Sequence, residues 1–423
     1  MRASVLVVSL MATAGPVTAQ APAKRHLQVA DWYRLRTVSD PQRSPDGAWV
    51  AYSVSRVDSA KDRHDSDVWM TSWDGATSLR LTTSEESESS PRWSPDGKQI
   101  AFLSRRQGAK ASQVWLLNRA GGEAERITDV KGGVGSFEWS PDGSRLALVA
   151  DDPDPAADSS DAKPKPIVVD RYYFKEDGKG YLGKQHAHLY VFDVASRKVE
   201  QVTSGDWDDD APAWSPDGQR LAFISARQPD AERFGNTDVY VVDAKAGATP
   251  RRLTTFAGSD EGPLSWSPDG TQIAYRQAQE PQYSGYSGGF GVVAVVPAAG
   301  GAPRLLTQAL DRAVAGSRWS KDGKSLIGTV VDDQRQYLAR VRLDDGAVDK
   351  IAATIPVVSA FSEGKDGGVA VLASSPTMPN EIYAVDAQGT RQLTHHNAWI
   401  GDIALSAAEA VTSRSDDGTE VHG

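Results

Sequence analysis

The sequence predicts an all-β fold, a seven-bladed β-propeller, from three observations. The pentapeptide Trp-Ser-Pro-Asp-Gly occurs at residues 93–97, 139–143, 214–218 and 266–270, with weaker copies at 43–47 and 319–323. The serines of the six copies follow one another at intervals of 50, 46, 75, 52 and 53 residues. Four short strand patterns fit within each interval, and four strands in about 40–50 residues form the repeat of a propeller blade.

The pentapeptide itself predicts a tight hairpin between two strands. Pro95 sets φ for the first central position of the turn, Asp96 suits the second, and Gly97 takes the left-handed conformation that closes it. Residues 99–102 then alternate between two faces, which is the period of a strand. Trp93, just before the turn, can pack between neighbouring sheets while its N–H seeks a partner. The motif therefore indicates a scaffold and carries no chemistry itself.

The blades can be placed along the chain in order. A short helical segment over 29–38 precedes them, and Asp74 and Gly75 mark a hairpin turn in the first. The second repeat shows four strands most clearly, at 91–94, 99–104, 113–118 and 125–128. A degenerate seventh blade fits residues 359–394, with Gly367 and Gly368 at its first turn.

These patterns give a domain organisation. Residues 1–19 (or 1–21) are a signal peptide, 20–37 a spacer, 38–397 the propeller with an insertion at 151–185 in blade three, and 398–423 a linker. Within the linker, 399–405 and 410–413 have strand patterns, and 416–423 form a turn with a strand leaving it. The chain stops inside that strand, so we expect a truncation before a further domain.

The N-terminus predicts export. Arg2 precedes an apolar run over 3–14, and small residues follow at 17–19, as in a secretory signal peptide. Gly15 and Pro16 argue against the alternative, a buried first helix. The run is too short to span a bilayer, and no other stretch is long and apolar enough. We expect a bacterial periplasmic or secreted protein without a membrane span.

Composition excludes several classes of function. The chain has 423 residues, of which 39% are hydrophobic and 24% charged, enough for a substantial core. Its formal net charge of −10 argues against a general nucleic-acid surface. The absence of Cys excludes disulfides, thiolate metal sites and thiol nucleophiles.

The long interval in blade three marks the candidate working surface. Residues 151–166 are rich in Asp, Ala and Pro and predict a solvated loop, whereas 170–178 combine aromatic and charged residues. The insertion connects the second and third strands of its blade, and that connection shares a face with the loops between blades. Three of those loops are acidic, at 85–88, 206–210 and 259–261, and we expect them to be solvated.

The repeats resemble the TolB-like propeller repeat. Together with the opening at 38–47, the insertion at 171–181 and the closing segment at 415–423, they resemble the propeller half of a prolyl oligopeptidase-family serine peptidase, of the acylaminoacyl-peptidase or dipeptidyl-aminopeptidase type. The resemblance covers nearly all of the chain after the signal peptide. In that family the closing segment leads into an α/β-hydrolase domain with a Ser, Asp and His triad. That domain is missing here, so no catalytic residue can be assigned to this chain.

The resemblance suggests how the insertion could meet a substrate. In an exopeptidase, a carboxylate pairs with the N-terminal ammonium of the peptide, and Glu176 or Asp177 is the candidate. Arg171 and the three tyrosines Tyr172, Tyr173 and Tyr181 would shape the entrance. The alternative is that the insertion packs on the propeller face or on the missing domain.

Three further motifs have weaker functional interpretations. Residues 285–289 match the nucleophile elbow G-x-S-x-G, but a strand rather than a helix is expected after Ser287, so we interpret them as a blade loop. His186 and His188 lie on one strand face, as a metal site could require, but no third ligand is evident. The acidic loops offer oxygen ligands for Ca²⁺ without an EF-hand pattern. We therefore expect no metal and no cofactor.

Two functions follow from the sequence. The first is the substrate-gating propeller of an exported serine peptidase that hydrolyses oligopeptides, with this chain alone inactive. The alternative is a stand-alone periplasmic TolB-like propeller that binds proteins as a scaffold. The partners would be an oligopeptide and the missing hydrolase domain in the first case, and another protein in the second.

Overall fold

Strands dominate the computed structural model, which describes residues 24–153, 166–169, 171–177, 180–229, 231–279, 291–352 and 354–423. In these ranges the strands form five antiparallel four-stranded sheets and one eight-stranded sheet, in which a single parallel pair between Gln336 and Val357 joins two antiparallel groups of four. We number these seven groups as blades in chain order. Two-stranded hairpins lie in the insertion and near the C-terminus. The prediction of an all-β propeller is confirmed.

The first four blades have the following strands. Blade one contains β1 (Arg36–Arg43), β2 (Trp49–Asp58), β3 (Arg63–Ser72) and β4 (Ser78–Arg80), and blade two β5 (Glu88–Trp93), β6 (Gln99–Ser104), β7 (Gln113–Asn118) and β8 (Glu125–Arg126). Blade three contains β9 (Ser136–Trp139), β10 (Arg145–Asp151), β13 (Ala187–Asp193) and β14 (Val199–Gln201), with the insertion hairpin β11 (Lys175–Glu176) and β12 (Gly180–Tyr181) between β10 and β13. Blade four contains β15 (Asp209–Trp214), β16 (Arg220–Ser225), β17 (Asp238–Asp243) and β18 (Arg251–Arg252), with the short helix α1 (Ala231–Phe234) before β17.

The last three blades repeat this order. Blade five contains β19 (Asp260–Trp266), β20 (Gln272–Gln277), β21 (Val292–Pro297) and β22 (Arg304–Leu305), and blade six β23 (Val314–Trp319), β24 (Ser325–Asp332), β25 (Arg335–Arg342) and β26 (Val348–Lys350). Blade seven contains β27 (Val357–Glu363), β28 (Val369–Ser375), β29 (Met378–Asp386) and β30 (Gly389–Gln392), followed by the hairpin β31 (Thr412–Arg414) and β32 (Glu420–His422).

The first strands of the blades form the inner ring. Strands β1, β5, β9, β15, β19 and β23 contact one another in that order, and β1 also contacts β27 of blade seven. Blades one and seven meet through a buried cluster in which Val50 and Tyr52 pack with Leu372 and Ile382. Burial of apolar side chains between adjacent sheets therefore joins the two ends of the ring.

Each pentapeptide turn is fixed internally and against its neighbour. Ser140 Oγ donates to Asp142 Oδ1 at 2.6 Å, and this bond, with others from Ser144, lowers the pKa of Asp142 to about 2. Gly143 has φ 74°, and an added Cβ would lie 3.3 Å from Pro95 in the preceding turn. A backbone with φ in the left-handed region favours glycine, which has no Cβ. The turns therefore stack from blade to blade around one face.

The motif tryptophans join neighbouring blades. Trp93, Trp139, Trp214 and Trp266 each donate from Nε1 to a backbone carbonyl of the preceding blade, at Gln42, Arg92, Glu138 and Ala213, over 2.9–3.4 Å. All four rings are buried. For these four residues the expectation that the tryptophan N–H finds a partner is met by the inner strand of the preceding blade, whereas Trp319 Nε1 is buried without an acceptor among the described residues.

The segments that flank the propeller differ in part from the prediction. A 3₁₀ helix at Val29–Arg34 precedes β1, but residues 36–38 of the predicted helical segment belong to β1. Residues 399–405 were expected to form a strand, but Ala398–Asp402 form a 3₁₀ helix. Arg25 and Ile403 form an isolated parallel bridge, which pairs the two flanking segments across the ring closure. The strand prediction for 399–405 was wrong because this run contacts the N-terminal segment, where the Arg34 guanidinium lies 4.2 Å from the Trp399 ring, instead of entering a sheet.

No helix in the described ranges is long and apolar enough to cross a membrane.

Candidate functional site

The insertion, the loops between blades and both flanking segments lie at the same ends of the strands. The insertion leaves β10 and returns at β13, and strands alternate in direction within a blade. The flanking segments are tied together there, because Asn397 Nδ2 donates to Arg36 O at 2.8 Å and Arg36 N donates to Asn397 Oδ1 at 2.9 Å. We call this side of the ring the insertion face. The pentapeptide turns lie on the opposite face.

The insertion presents aromatic side chains to solvent. The rings of Phe174 and Tyr181 stack across the hairpin with centroids 6.4 Å apart. Lys175 Nζ lies 5.9 Å from the centroid of Tyr181. Tyr172 is 61% exposed and Tyr173 53%. Exposed aromatic groups in such number are typical of an interaction surface.

The structure places the six predicted site residues on this one segment. Arg171, which is half-buried, donates from Nη1 to Gly183 O at 3.3 Å and so closes the base of the hairpin. Glu176 ends β11 and is half-buried, whereas Asp177 in the turn is exposed. The tyrosines Tyr172, Tyr173 and Tyr181 are exposed around them. These residues are close together because they are close in the sequence. Their role in substrate binding stays a prediction.

The base of the insertion is held by the two histidines that resembled a metal site. Asp152 N donates to His186 O at 2.8 Å, so the insertion is closed where it leaves the blade. The buried His188 has Nε2 3.6 Å from Asp152 and Nδ1 3.4 Å from Asp209. The histidines thus contact different carboxylates, since His186 Nδ1 lies 3.3 Å from Asp208. These contacts hold the base of the insertion against blade four, and we call them the anchor.

The anchor continues into blade four. Asp209 is fully buried and receives Arg227 Nη2 at 2.7 Å. Burial opposes ionisation of Asp209, but the hydrogen bond from His188 and the charge of Arg227 hold its pKa below the usual range. The guanidinium of Arg227 lies 4.9 Å from the ring of Trp207. A continuous set of contacts therefore connects the insertion base to Trp207.

A pocket of about 670 Å³ lies where this set of contacts ends. Its walls include Tyr172 from the insertion, Trp207 and Arg227 from blade four, and Pro229 and Arg233 from the loop before β17. We call it the Trp207 pocket. Of the predicted residues, Tyr172 reaches it. Sequence analysis missed the others, although one signal was present: Trp207 interrupts an acidic run without belonging to any pentapeptide motif.

The acidic loops are not solvated throughout, although they were predicted to be. Glu88, Asp209 and Asp260, which begin the first strands of blades two, four and five, are fully buried rather than solvated. Glu88 pairs with Arg106 at 2.7 Å, as Asp209 pairs with Arg227. Burial next to Asp238 raises the pKa of Asp260 to about 7. The innermost acid of each loop therefore belongs to the scaffold, because the loop must turn inward to start the next blade.

The remaining motif, G-x-S-x-G at 285–289, lies outside the described residues. It falls between β20 and β21, the second and third strands of blade five. The element that follows is the strand Val292–Pro297, as predicted, whereas a nucleophile elbow requires a helix.

Comparisons with known proteins agree with this architecture. Dipeptidyl-peptidase 5 of Porphyromonas gingivalis is 26% identical over 422 residues, which cover 93% of this chain and 59% of the relative. The acylaminoacyl peptidase of Pyrococcus horikoshii matches with a TM-score of 0.72 at 19% identity, covering 92% of this chain and 57% of that one. The propeller domain of the trilobed protease from Pyrococcus furiosus matches at a TM-score of 0.61 and 18% identity, with 86% and 96% covered. The two solved structures show likeness of fold alone, and this chain spans less than two thirds of the first two proteins.

The PD40 family model, a TolB beta propeller domain, matches residues 27–159 and 181–406. Residues 160–180, which include most of the insertion, fall outside this match. Because the matched residues form most of the chain and coincide with the seven blades, the chain belongs to the TolB β-propeller family.

Proposed function

We propose that the chain is the substrate-gating propeller of an exported serine peptidase that hydrolyses oligopeptides. The observation that carries the proposal is the likeness to Dipeptidyl-peptidase 5, which extends over 93% of this chain but 59% of the relative. The part of the relative that this chain does not match supports a further domain in addition to the propeller. We propose that the catalytic domain lies in a further part of the same protein.

The insertion face is the side we propose to meet that domain. Both flanking segments and the insertion lie on it, and the exposed Trp32 and Tyr33 belong to the first of these segments. A ring of blades over an active site would admit short or unfolded peptides and hold back folded proteins. In the proposed enzyme a serine hydroxyl gives its proton to His and attacks the peptide carbonyl carbon; the C–N bond breaks and the amine leaves with the proton from His, which Asp orients. Water then hydrolyses the acyl-serine ester to a carboxylate and frees the serine.

Labelling with a serine-directed fluorophosphonate tests the proposal. The product of the whole reading frame is labelled, digested and mapped by mass spectrometry, with the 423-residue chain as control. We expect one labelled serine after residue 423 and no label on the control. Label on Ser287 would place the nucleophile in the propeller, and a reading frame without any labelled serine would favour the protein-binding scaffold.

Export is proposed from the N-terminal sequence, which lies outside the described residues. Determination of the mature N-terminus from periplasmic and secreted fractions should find cleavage after Ala19 or Ala21. Recovery of the intact N-terminus in the cytoplasm alone would contradict export.

A further inference from the structure

The Trp207 pocket has chemistry that gating by size does not explain. We propose that it binds a carboxylate of an oligopeptide substrate, either the C-terminal α-carboxylate or an Asp or Glu side chain. This inference rests on the proposed function, because it specifies which peptides the propeller retains. It concerns residues separate from Glu176 and Asp177, which are candidates for the opposite end of a peptide.

Trp207 supplies a hydrogen-bond donor that is not used within the described residues. Its Nε1 is buried and has no acceptor there, as is also the case for Trp319 and Trp399, whereas Trp139 and Trp214 donate to backbone carbonyls. A buried N–H without an acceptor is unfavourable, so contact between Nε1 and an oxygen atom of a bound peptide would stabilise the complex.

The position of the Trp207 ring is built into the loop. Gly205 has φ 132°, and a Cβ at this position would lie 2.4 Å from the Trp207 ring. Real Cβ atoms do not approach ring carbons this closely, and the backbone conformation also favours glycine. Gly205 therefore allows the ring to lie where it does, beside the guanidinium of Arg227.

Arg227 is fixed rather than flexible. Its Nη2 donates to the buried Asp209 at 2.7 Å, and its Nε donates to Ser225 Oγ at 3.1 Å. The guanidinium also lies about equally close to the rings of Phe223 and Tyr240, at 5.2 Å each. Because Asp209 balances its charge, Arg227 contributes a rigid polar wall more than a net positive charge.

Arg233 supplies the charge that recognises an anion. It is exposed, lines the pocket, and its guanidinium lies 5.3 Å from the ring of Phe234. A guanidinium matches a carboxylate with two parallel hydrogen bonds, which makes arginine the preferred partner for this group. Tyr172 and Pro229 complete the walls with less polar surface.

The negative charge of Asp206 at the rim of the pocket allows a second test of carboxylate binding. Its exposed carboxylate lies in the same pocket and repels a bound anion. Removal of this charge should therefore strengthen carboxylate binding, whereas removal of the Arg233 charge should weaken it. A pocket that held only apolar side chains would respond to neither change in this opposed way.

Equilibrium binding of a labelled pentapeptide to the 423-residue chain, measured by fluorescence anisotropy, tests the inference. Four peptide forms are compared: a free C-terminus, an amidated C-terminus, an amidated peptide with an internal Glu, and the same with Gln. We expect the two forms without a carboxylate to bind about tenfold more weakly than at least one acidic form, as for loss of a charged hydrogen bond. The free-acid and Glu forms distinguish the two sources of the carboxylate.

Matched variants complete the design. Arg233→Gln and Trp207→Phe should each weaken binding of the acidic form by about tenfold, and Asp206→Asn should strengthen it. Arg335→Gln, an exposed arginine on blade six, should change nothing. Gly205→Ala, which displaces the ring, should match Trp207→Phe, and unchanged urea midpoints exclude unfolding of either variant.

Two results would overturn the inference, and they are distinguishable. Equal binding of acidic and amidated peptides, unaffected by Arg233→Gln and Trp207→Phe, would show that peptides bind elsewhere and would leave the proposed function intact. Failure of every peptide form to bind would contradict the pocket and the peptide-binding role together.

Discussion

Buried ionisable side chains make this scaffold sensitive to pH. Asp260 is fully buried, and neither of its carboxylate oxygens has a hydrogen-bond partner among the described residues. Burial and the neighbouring Asp238 raise its pKa to about 7. Its folded form therefore holds a proton that the unfolded chain releases near the ordinary pKa of about 3.9.

Substitution of Asp260 tests this assignment. Between about pH 4 and pH 7 the folded state binds the extra proton, so the contribution of Asp260 to stability is complete below that interval and is lost as pH rises through it. Asp260→Asn should raise the free energy of unfolding at pH 8 and change it little at pH 4. Urea denaturation at both pH values measures the effect.

The matched control is Asp210→Asn, one blade earlier and exposed. It should not give the gain in the free energy of unfolding at pH 8 that is expected of Asp260→Asn. A stabilisation by Asp260→Asn that is equal at pH 4 and pH 8 would contradict a raised pKa as its cause.

The carboxylates of the insertion allow a second test on single side chains. If Glu176 or Asp177 pairs with the N-terminal ammonium of a peptide, Glu176→Gln or Asp177→Asn in the whole enzyme should raise KM for free peptides about tenfold, with kcat changed less. N-acetylated peptides, which lack the ammonium, should show no such change. Steady-state hydrolysis of the two peptide series makes the comparison.

The outcome separates binding from packing. A loss of activity that is equal for free and acetylated peptides would indicate that these residues only hold the insertion in place. Lys175→Gln on the same hairpin serves as the control, since it removes the opposite charge.

The insertion is an added element held by its base. His188 lies between Asp152 and Asp209 and is buried, so its removal leaves a cavity and separates the insertion from blade four. His188→Ala should increase hydrogen exchange across residues 171–183 by about tenfold or more, and should change exchange in blade one little. Hydrogen exchange followed by mass spectrometry measures both regions.

His395→Ala is the control for this element, because His395 is exposed beyond blade seven. Exchange across 171–183 that is unchanged in His188→Ala would contradict the anchor. The same result would leave the two histidines free for another role.

Elements of this fold could be predicted to the extent that their signals are local. Pro, Asp and Gly at fixed positions determine the turn, and the following residues alternate, so strands such as β6 and β21 lie where the pattern predicts. The 3₁₀ helix at Ala398–Asp402 was missed because its apolar run has the same composition as a strand. The Trp207 pocket was missed because it forms between segments about 20 to 60 residues apart in the sequence, and a single sequence does not show which of them meet.

The ring as a whole is closed by side chains where blade one meets blade seven. Arg43 is buried, its Nη2 lies 2.7 Å from Asp366, and its guanidinium lies 3.2 Å from the ring centroid of Trp73. Arg43→Ala should therefore lower the free energy of unfolding by about 2–3 kcal/mol. Arg43→Met, which keeps most of the packing, should cost less.

Chemical denaturation measures both substitutions. Arg342→Ala removes an exposed ion pair with Asp345 and should change stability by less than about 1 kcal/mol. Equal effects of Arg43→Ala and Arg342→Ala would contradict a special role for the junction of blades one and seven.

The propeller architecture could be predicted because its repeats are visible in the sequence. The contacts that close the ring could not be predicted. The first pentapeptide copy has Arg43 in place of tryptophan, and only the structure shows that Arg43 contacts Trp73 and Asp366. The acidic loops were also misjudged, because burial at the start of an inner strand depends on the neighbouring blade and not on local composition.

Hydrolysis by the product of the whole reading frame tests the central claim most directly. One cleavable sequence is presented in three forms: a short peptide, an unfolded chain, and a surface loop of a folded protein. The proposed gating propeller predicts rapid hydrolysis of the short peptide and at least a hundredfold slower cleavage of the folded protein. Equal cleavage of all three forms would contradict gating, and no cleavage of any form would contradict the peptidase.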